Sequence, residues 1–291
     1  MEVRMKYLDY PEQQKHRGQD FPYFFYHVTW IHPRYNMPYH WHPLWEIVHV
    51  FSGHFHLHLD HDDLLLSPGD SAIISPGVIH GGTAQELQGC CYECLVLDTD
   101  NIFQPSITRI YEKKFLDILN QKLKVDHYYP ASEKEINSLL VHMLDCSRYK
   151  PEGYTLNLHG LTYSLFGLIL QKGYYSQQSY NKNQKKNQQF KQIMEYIDSH
   201  YQEDIRLADL AACVNMTPNY FCRYFKEITH RSPMDYLNYY RIEAACERLA
   251  YTDKTVSEIA YECGFQDASY FVKVFRHYKH VTPTQYINSS F

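Results

Sequence analysis

The sequence predicts an α+β multidomain chain: an N-terminal all-β barrel or sandwich with appended helices, then an all-α domain of two helix-turn-helix units joined by a linker helix. Three observations carry this. Short segments punctuated by turn residues fill the first hundred positions, the apolar period shifts to three and four after Glu112, and the last hundred positions state one pattern twice. At 291 residues the chain can hold two domains with their own cores.

From Phe24 to about Leu97, turn signals at Pro33, Pro38, Ser52-Gly53, Asp62-Asp63, Pro68-Gly69 and Pro76-Gly77 separate short strands. Beyond Glu112, the sets Phe115, Leu116, Leu119, Leu123, then Ile136, Leu139, Leu140, Met143, Leu144, then Leu158, Leu161, Leu165, Phe166, Ile169 have helical spacing. Such helices must cover apolar surface, either on the barrel or between subunits of a homodimer. Gln171 to Gln189 is polar, Gln/Asn-rich and short of aliphatic residues, so it reads as a flexible linker able to change domain spacing. The expected division is 1–110 barrel, 111–170 helical segment with a dimerisation role, 171–189 linker and 190–288 C-terminal domain, with the two units at 207–228 and 256–278.

The repeat is the strongest signal. Tyr220, Phe221, Arg223, Phe225, Lys226, Pro233 and Tyr236 match Tyr270, Phe271, Lys273, Phe275, Arg276, Pro283 and Tyr286 at a constant offset of 50. A first helix with Ala at a tight crossing (Ala211, Ala260) leads to a turn, then to a helix with aromatics on one side and cations on the other. That is how a reading helix presents itself to the major groove of double-stranded DNA. Thr217 caps and Pro218 opens the first such helix; Gly264 permits a left-handed turn residue before the second, which begins near Asp267. Phe221, Phe225, Phe271 and Phe275 face inward, leaving Asn219, Cys222, Arg223 and Lys226, and Ala268, Ser269, Lys273 and Arg276, outward. Asn219, Arg223 and Lys273 are base-reading candidates, because Asn, Arg and Lys can bond base edges; Lys226 and Arg276 are assigned to phosphates. Met234 to Leu249 has no Gly or Pro and forms a rigid connector, so one subunit should read an asymmetric site in successive major grooves about 34 Å apart.

A net charge of −5, with 11 Lys plus Arg against 13 Asp plus Glu from Phe190 onward, implies modest nonspecific affinity for phosphate rather than none. Placement decides, because screening limits each charge to about 8 Å. No apolar run is long enough to span a bilayer, and Met1 to Tyr10 lacks a signal-peptide layout, so a cytoplasmic, nucleoid-associated protein with no membrane partner is expected. Cys91 and Cys94 form a lone CxxC in a strand-like segment and read as buried small hydrophobes rather than a zinc or redox pair.

The residues from Phe190 to Ile287 resemble the AraC/XylS transcription regulators, particularly RIEAACERL (Arg241 to Leu249), VSEIAYECGFQDASYF (Val256 to Phe271) and TPTQY (Thr282 to Tyr286). By that resemblance Asn219, Cys222 and Arg223 match the first base-reading helix, and Ala268, Ser269 and Lys273 the second. The chain departs from the common pattern at His230-Arg231, where many members have a nearby Gly, and at His280 in the matching turn. The resemblance implies a ligand-responsive regulator that meets RNA polymerase if it activates. It does not fit DNA-repair methyltransferases with the same kind of reading domain, which need a four-cysteine zinc site near the amino terminus; the first cysteine here is Cys90.

Between Pro38 and Leu97, His40-x-His42-x3-Glu46 with His80 after Pro76-Gly77 resembles the two motifs of the cupin barrel, with Ser75 and Ala84 departing from it. Alternation places His40 and His42 on one strand face, where Glu46 and His80 can join them. Three imidazoles and a carboxylate suit Zn, Fe, Mn, Ni or Cu. The reading does not require a cofactor: regulators of this build generally bind a small molecule, often a sugar, and the favoured occupant of His40, His42, Glu46, His80 and Trp41 is such an effector. The alternative function is a metal-dependent cupin oxygenase or isomerase with a DNA-targeting domain. His54, His56 and His58 alternate with Phe55, Leu57 and Leu59 and read as a solvent-facing row.

Overall fold

The computed structural model describes residues 22–30, 35–60, 62–86, 89–103, 113–177, 184–229 and 231–289. Eight strands build the N-terminal domain: β1 (Tyr23–Val28), β2 (Met37–His40), β3 (Trp45–Ser52), β4 (Phe55–Leu59), β5 (Asp62–Leu66), β6 (Ser71–Ile74), β7 (His80–Ala84) and β8 (Cys91–Leu97). They pair antiparallel in two sheets that close on a common interior. One has the order β1-β8-β3-β6 and the other β2-β7-β4-β5.

Pleating sorts the side chains. On β3, Val48 and Val50 join the barrel interior with Phe55, Leu57, Tyr92 and Val96, whereas Trp45 and Ile47 point the other way. Glu46 shares the parity of Val48 and is therefore an inward carboxylate. The paired glycines of β7 permit close approach: a Cβ on Gly82 would stand 2.3 Å from Phe55 Cζ and 2.8 Å from the His56 carbonyl oxygen.

Helices α1 (Thr99–Ile102), α2 (Lys113–Leu119), α3 (Lys134–Tyr149) and α4 (Tyr154–Lys172) follow. Leu140, Met143 and Leu144 of α3, with Leu158, Leu165 and Ile169 of α4, bury Trp45, Ile47, Leu95 and Leu97 on the outer face of the first sheet. On α4, Leu156 is 78% exposed, and Tyr163 is partly exposed while its ring meets Phe103 edge-on.

Two expectations need correction here. Leu123 was expected on a helical stripe, yet it begins a strand, β9 (Leu123–Val125). Gln121 adopts φ +56°, and the Lys122 amide bonds the Asp117 carbonyl at 2.7 Å, so α2 ends in a left-handed cap. The described parts of the segment 171–189, residues 171–177 and 184–189, also carry more secondary structure than its composition suggests. α4 runs to Lys172, β11 (Tyr175–Gln177) pairs with β9, and α5 (Gln184–His200) starts six residues before the expected boundary at Phe190. Positions 178–183 lie outside the described residues, as do 104–112, with Glu112, and His61 and His230. A two-residue strand, β10 (Tyr128–Tyr129), adds to β6 beyond the expected barrel limit at 110.

The C-terminal domain comprises α5 and α6 (Leu207–Ala212), α7 (Pro218–Thr229), α8 (Pro233–Tyr251), α9 (Val256–Glu262), α10 (Ala268–Lys279) and α11 (Pro283–Ser289). α8 is unbroken and serves two cores. Tyr236, Leu237 and Tyr239 pack with Phe190, Ile193, Phe221 and Phe225; Ile242, Ala245, Cys246 and Leu249 pack with Ile259, Phe271 and Phe275. The two turns are built alike: Asn215 (φ +54°) follows α6 and Gly264 (φ +84°) follows α9, with the Met216 and Phe265 amides bonding the Ala211 and Ala260 carbonyls at 2.9 and 3.0 Å. Ala211 to Ala260 spans 49 positions while Tyr220 to Tyr270 spans 50, so the second unit holds one more residue between turn and second helix. Among the described residues no helix is long and apolar enough to cross a membrane.

Candidate functional site

Each reading helix starts at a residue suited to its first turn, and α10 has a side-chain cap. Pro218 opens α7, and the Thr217 carbonyl accepts the Phe221 amide at 2.9 Å; on α10, the Asp267 carboxylate accepts the Tyr270 amide at 2.6 Å. Phe221, Tyr224, Phe225 and Ile228 are buried on α7, and Phe271 and Phe275 on α10. That leaves Asn219, Arg223 and Lys226 exposed with Cys222 half-buried, and Ser269, Lys273 and Arg276 exposed with Ala268 half-buried.

Most of the other cations of the domain are engaged internally, Arg206 before α6 being exposed without an ion pair among the described residues. Half-buried Lys279 pairs with buried Glu243 at 2.8 Å, Arg231 pairs with Asp235, and Arg248 and Lys254 both pair with Glu262. Arg241 donates from Nε to the Tyr201 carbonyl and from Nη2 to the Glu203 carbonyl, both at 2.7 Å, and so closes the end of α5. Arg223, Lys226, Lys273 and Arg276 form no ion pair among the described residues, so their charge is available outward. Arg241 was read as one connector residue without a role. Its position on the apolar stripe Leu237, Arg241, Ala245 was the available signal that it turns inward.

In the barrel, His40 comes from β2, His42 from the β2–β3 loop, Glu46 from β3 and His80 from β7; one ligand-type atom from each lies within 4.8 Å of all the others. Each imidazole Nδ1–H donates to a main-chain carbonyl two residues away: His40 to Pro38 at 2.8 Å, His42 to Leu44 at 3.1 Å and His80 to Val78 at 2.9 Å. These bonds fix the rings and leave every Nε2 toward the centre. Glu46 Oε2 lies 3.0 Å from His42 Nε2 and 3.1 Å from His80 Nε2. With Nδ1–H already committed, these contacts need a proton on each Nε2 or a cation in its place. Burial alone would raise the Glu46 carboxyl, but the bonds from His42 and His80 outweigh it and hold it well below the usual carboxylate range. Burial, with His80 and His42 alongside, pushes the His40 imidazole well below its ordinary value.

The tryptophans lie elsewhere. Trp45 is 2% exposed and packs edge-on against Phe166 of α4; Trp30 is 47% exposed; Trp41 lies beneath Lys191 of α5, whose Nζ is 4.4 Å from the ring centroid. His54 pairs with Glu86 and His58 with Asp63 on the outer face of β4, while Cys91 and Cys94, three apart on a strand, face opposite ways.

The cluster adjoins the interface between the domains. Tyr39, next to His40, accepts through its carbonyl from the Tyr236 hydroxyl at 2.8 Å and sets its ring against Phe190; the Asn36 carbonyl accepts from Tyr239 at 2.9 Å. Ile79, next to His80, is buried in the core of the first helix-turn-helix unit. Sequence reasoning missed this contact, because an isolated Tyr, Trp or Ile on a strand gives no sign of whether its neighbour is its own domain.

Residues 23–121 match the family model described as an AraC-like ligand binding domain, and residues 210–289 match a helix-turn-helix domain model. The chain is 24% identical over 278 residues to the uncharacterized HTH-type transcriptional regulator YdeC of Bacillus subtilis, covering 94% of each protein. It is 38% identical over 96 residues to the regulatory protein PocR of Salmonella typhimurium, a match spanning 33% of this chain and 32% of that one. The apo crystal structure of a ToxT variant from Vibrio cholerae aligns with 93% of this chain and 98% of its own at 14% identity and a TM-score of 0.50, a likeness of fold.

Proposed function

The chain belongs to the AraC family of transcription regulators, a cupin-like ligand-binding domain joined to a DNA-binding helix-turn-helix domain, and from that premise we propose that α7 and α10 read an asymmetric operator under control of a small polar effector held at the His–Glu cluster. The carrying observation is placement: Arg223, Lys226, Lys273 and Arg276 are exposed, form no ion pair among the described residues and lie on the two helices that follow the turns, and outside those helices Arg206 is the one other exposed cation of the domain with no ion pair among the described residues. Asn219, Arg223 and Lys273, with Cys222, Ala268 and Ser269 beside them, contact base edges; Lys226 and Arg276 contact phosphates.

Arg223→Ala and Lys273→Ala are each expected to weaken binding to a selected duplex by about 1–3 kcal/mol and to relax its sequence preference. Lys226→Ala is expected to weaken all sequences alike and to lower the salt slope by about one. Fluorescence anisotropy across a salt series measures both, and a double variant of Arg223 and Lys273 with unchanged affinity and salt slope would overturn the reading.

Sugars, the effector class that the resemblance implies, are the first to screen by thermal shift, since a ligand of the native state raises stability by RT ln(1 + [L]/Kd). The exposed face of α4, with Leu156 and Tyr163, supports self-association as a homodimer, and contact with RNA polymerase follows if the protein activates.

A further inference from the structure

We propose that Gln266 is a base-reading residue of the second helix-turn-helix unit and selects adenine at one position of its half-site, a contact for which the first unit has no equivalent. The inference rests on the regulator reading above and adds a residue and a base to it. The extra residue of the second turn is Gln266. The Met216 and Phe265 amides both bond the carbonyl of the crossing alanine, Ala211 or Ala260, at 2.9 and 3.0 Å. The Thr217 and Asp267 carbonyls both accept the amide of the first buried phenylalanine of the next helix, Phe221 or Phe271, at 2.9 and 3.0 Å. Met216 therefore corresponds to Phe265 and Thr217 to Asp267, and nothing in the first unit stands between them.

The inserted residue is held on both sides. Phe265 is 3% exposed, with its ring centroid 5.1 Å from that of Phe271 and 6.2 Å from that of Tyr270. Asp267 accepts the Tyr270 amide at 2.6 Å, and Asn238 of α8 donates to the Tyr270 hydroxyl at 3.2 Å, which ties the first turn of α10 to the connector. The bond to Tyr270 also turns the Asp267 carboxylate onto its own helix. Between these anchors the Gln266 side chain is exposed and makes no hydrogen bond among the described residues. Gln266, Ser269, Lys273 and Arg276 are three, four and three positions apart, so the amide continues the outward stripe of α10 at its N-terminal end, the end that meets base edges in helix-turn-helix docking. A carboxamide donates and accepts from neighbouring atoms, as adenine N7 and N6 require in the major groove. In the first unit that group is Asn219, four positions before Arg223; in the second, Ser269 holds the matching place and the carboxamide stands seven positions before Lys273. The two units thus carry like groups at unlike spacings, and their half-sites differ accordingly.

The test is selection from a library of random duplexes by the full-length protein, followed by sequencing, with Arg223→Ala and Lys273→Ala run beside Gln266→Ala and Gln266→Glu. Wild type should prefer adenine by roughly 5- to 150-fold over other bases at one position, in the half-site that Lys273→Ala also alters. Gln266→Ala should lose that preference, leave the other positions unchanged and keep the wild-type salt slope, since no charge is removed. Gln266→Glu should turn the same position toward cytosine, whose N4 amino group donates to a carboxylate. A residue that only shapes the turn gives neither change. Unaltered selection by Gln266→Ala overturns the inference, as does an equal loss on every sequence, the mark of a phosphate contact, or a glutamate variant that still selects adenine. If Arg223→Ala and Lys273→Ala alter the selected sequence and Gln266→Ala does not, the reading of α7 and α10 stands and only this contact falls; if wild type selects no duplex, both fall.

Discussion

At the scale of single residues, the barrel holds several histidines in environments that disfavour their charge. Burial lowers the pKa of His49 on β3, despite Glu93 and Asp70 nearby, and burial also lowers that of His127. His49 Nδ1–H donates to Ser71 Oγ at 2.7 Å, and Ser71 in turn bonds Asn137 of α3, so the ring is a fixed neutral link between sheet and helix. The folded-state pKa values lie below 6.5, so the unfolded chain takes up protons first as the pH falls. Stability should be full above about pH 6.5 and decline below it, which the urea midpoint at about pH 7.5 and pH 5.5 measures. His49→Asn should flatten part of that slope, and a midpoint independent of pH would contradict the assignment. Two glycines give opposite expectations. Gly82→Ala drives a methyl into Phe55 and a carbonyl, and should cost about 1–3 kcal/mol. Gly160→Ala meets nothing within 4 Å on α4 and should stabilise by about 0.5–1 kcal/mol, both read from thermal unfolding.

At the scale of elements, α8 connects the two units and is held by groups that resemble surface charges in the sequence. Arg241 closes α5 through two carbonyls, and Gly264 has to lack a side chain because a Cβ there would stand 2.5 Å from the Tyr201 oxygen and 3.0 Å from the Arg241 guanidinium. Arg241→Lys keeps the charge but cannot make both bonds from one planar group, and should cost about 1.5–3 kcal/mol in denaturant unfolding, with no change at α10. An unaltered midpoint would show that the carbonyls find water instead. The helices that carry function were legible because a 3.6-residue period is dense in Phe221, Phe225, Phe271 and Phe275. The short strands β9, β10 and β11 were not, since two or three residues such as Tyr128 and Tyr129 hold too little alternation to separate a strand from a loop.

At the scale of the whole molecule, the cluster and the contact between domains are two faces of the same strand. The spacing His40-x-His42-x3-Glu46 was enough to expect the first through its resemblance to the barrel motif; strand alternation alone reached only His40 and His42, and the structure places His42 in the β2–β3 loop and Glu46 on β3. The second could not be read, since Trp41 suits a pocket as well as an interface until Lys191 is seen above it. Tyr236→Phe with Tyr239→Phe removes both hydroxyl donors to β2 and the residue before it while keeping the rings; at about 1 kcal/mol per bond, hydrogen exchange around Asn36 to Trp41 should quicken roughly tenfold or more. Unchanged exchange would mean that the apolar contacts at Ile79 and Phe190 alone secure the docking. The unbroken α8 also constrains the operator. It has no hinge to take up slack, so inserting one base pair between the two contacted segments displaces the second by about 3.4 Å and rotates it by about 34° around the duplex axis. The protein should tolerate substituted letters in that interval far better than an added one, which competition by duplexes with altered spacers measures.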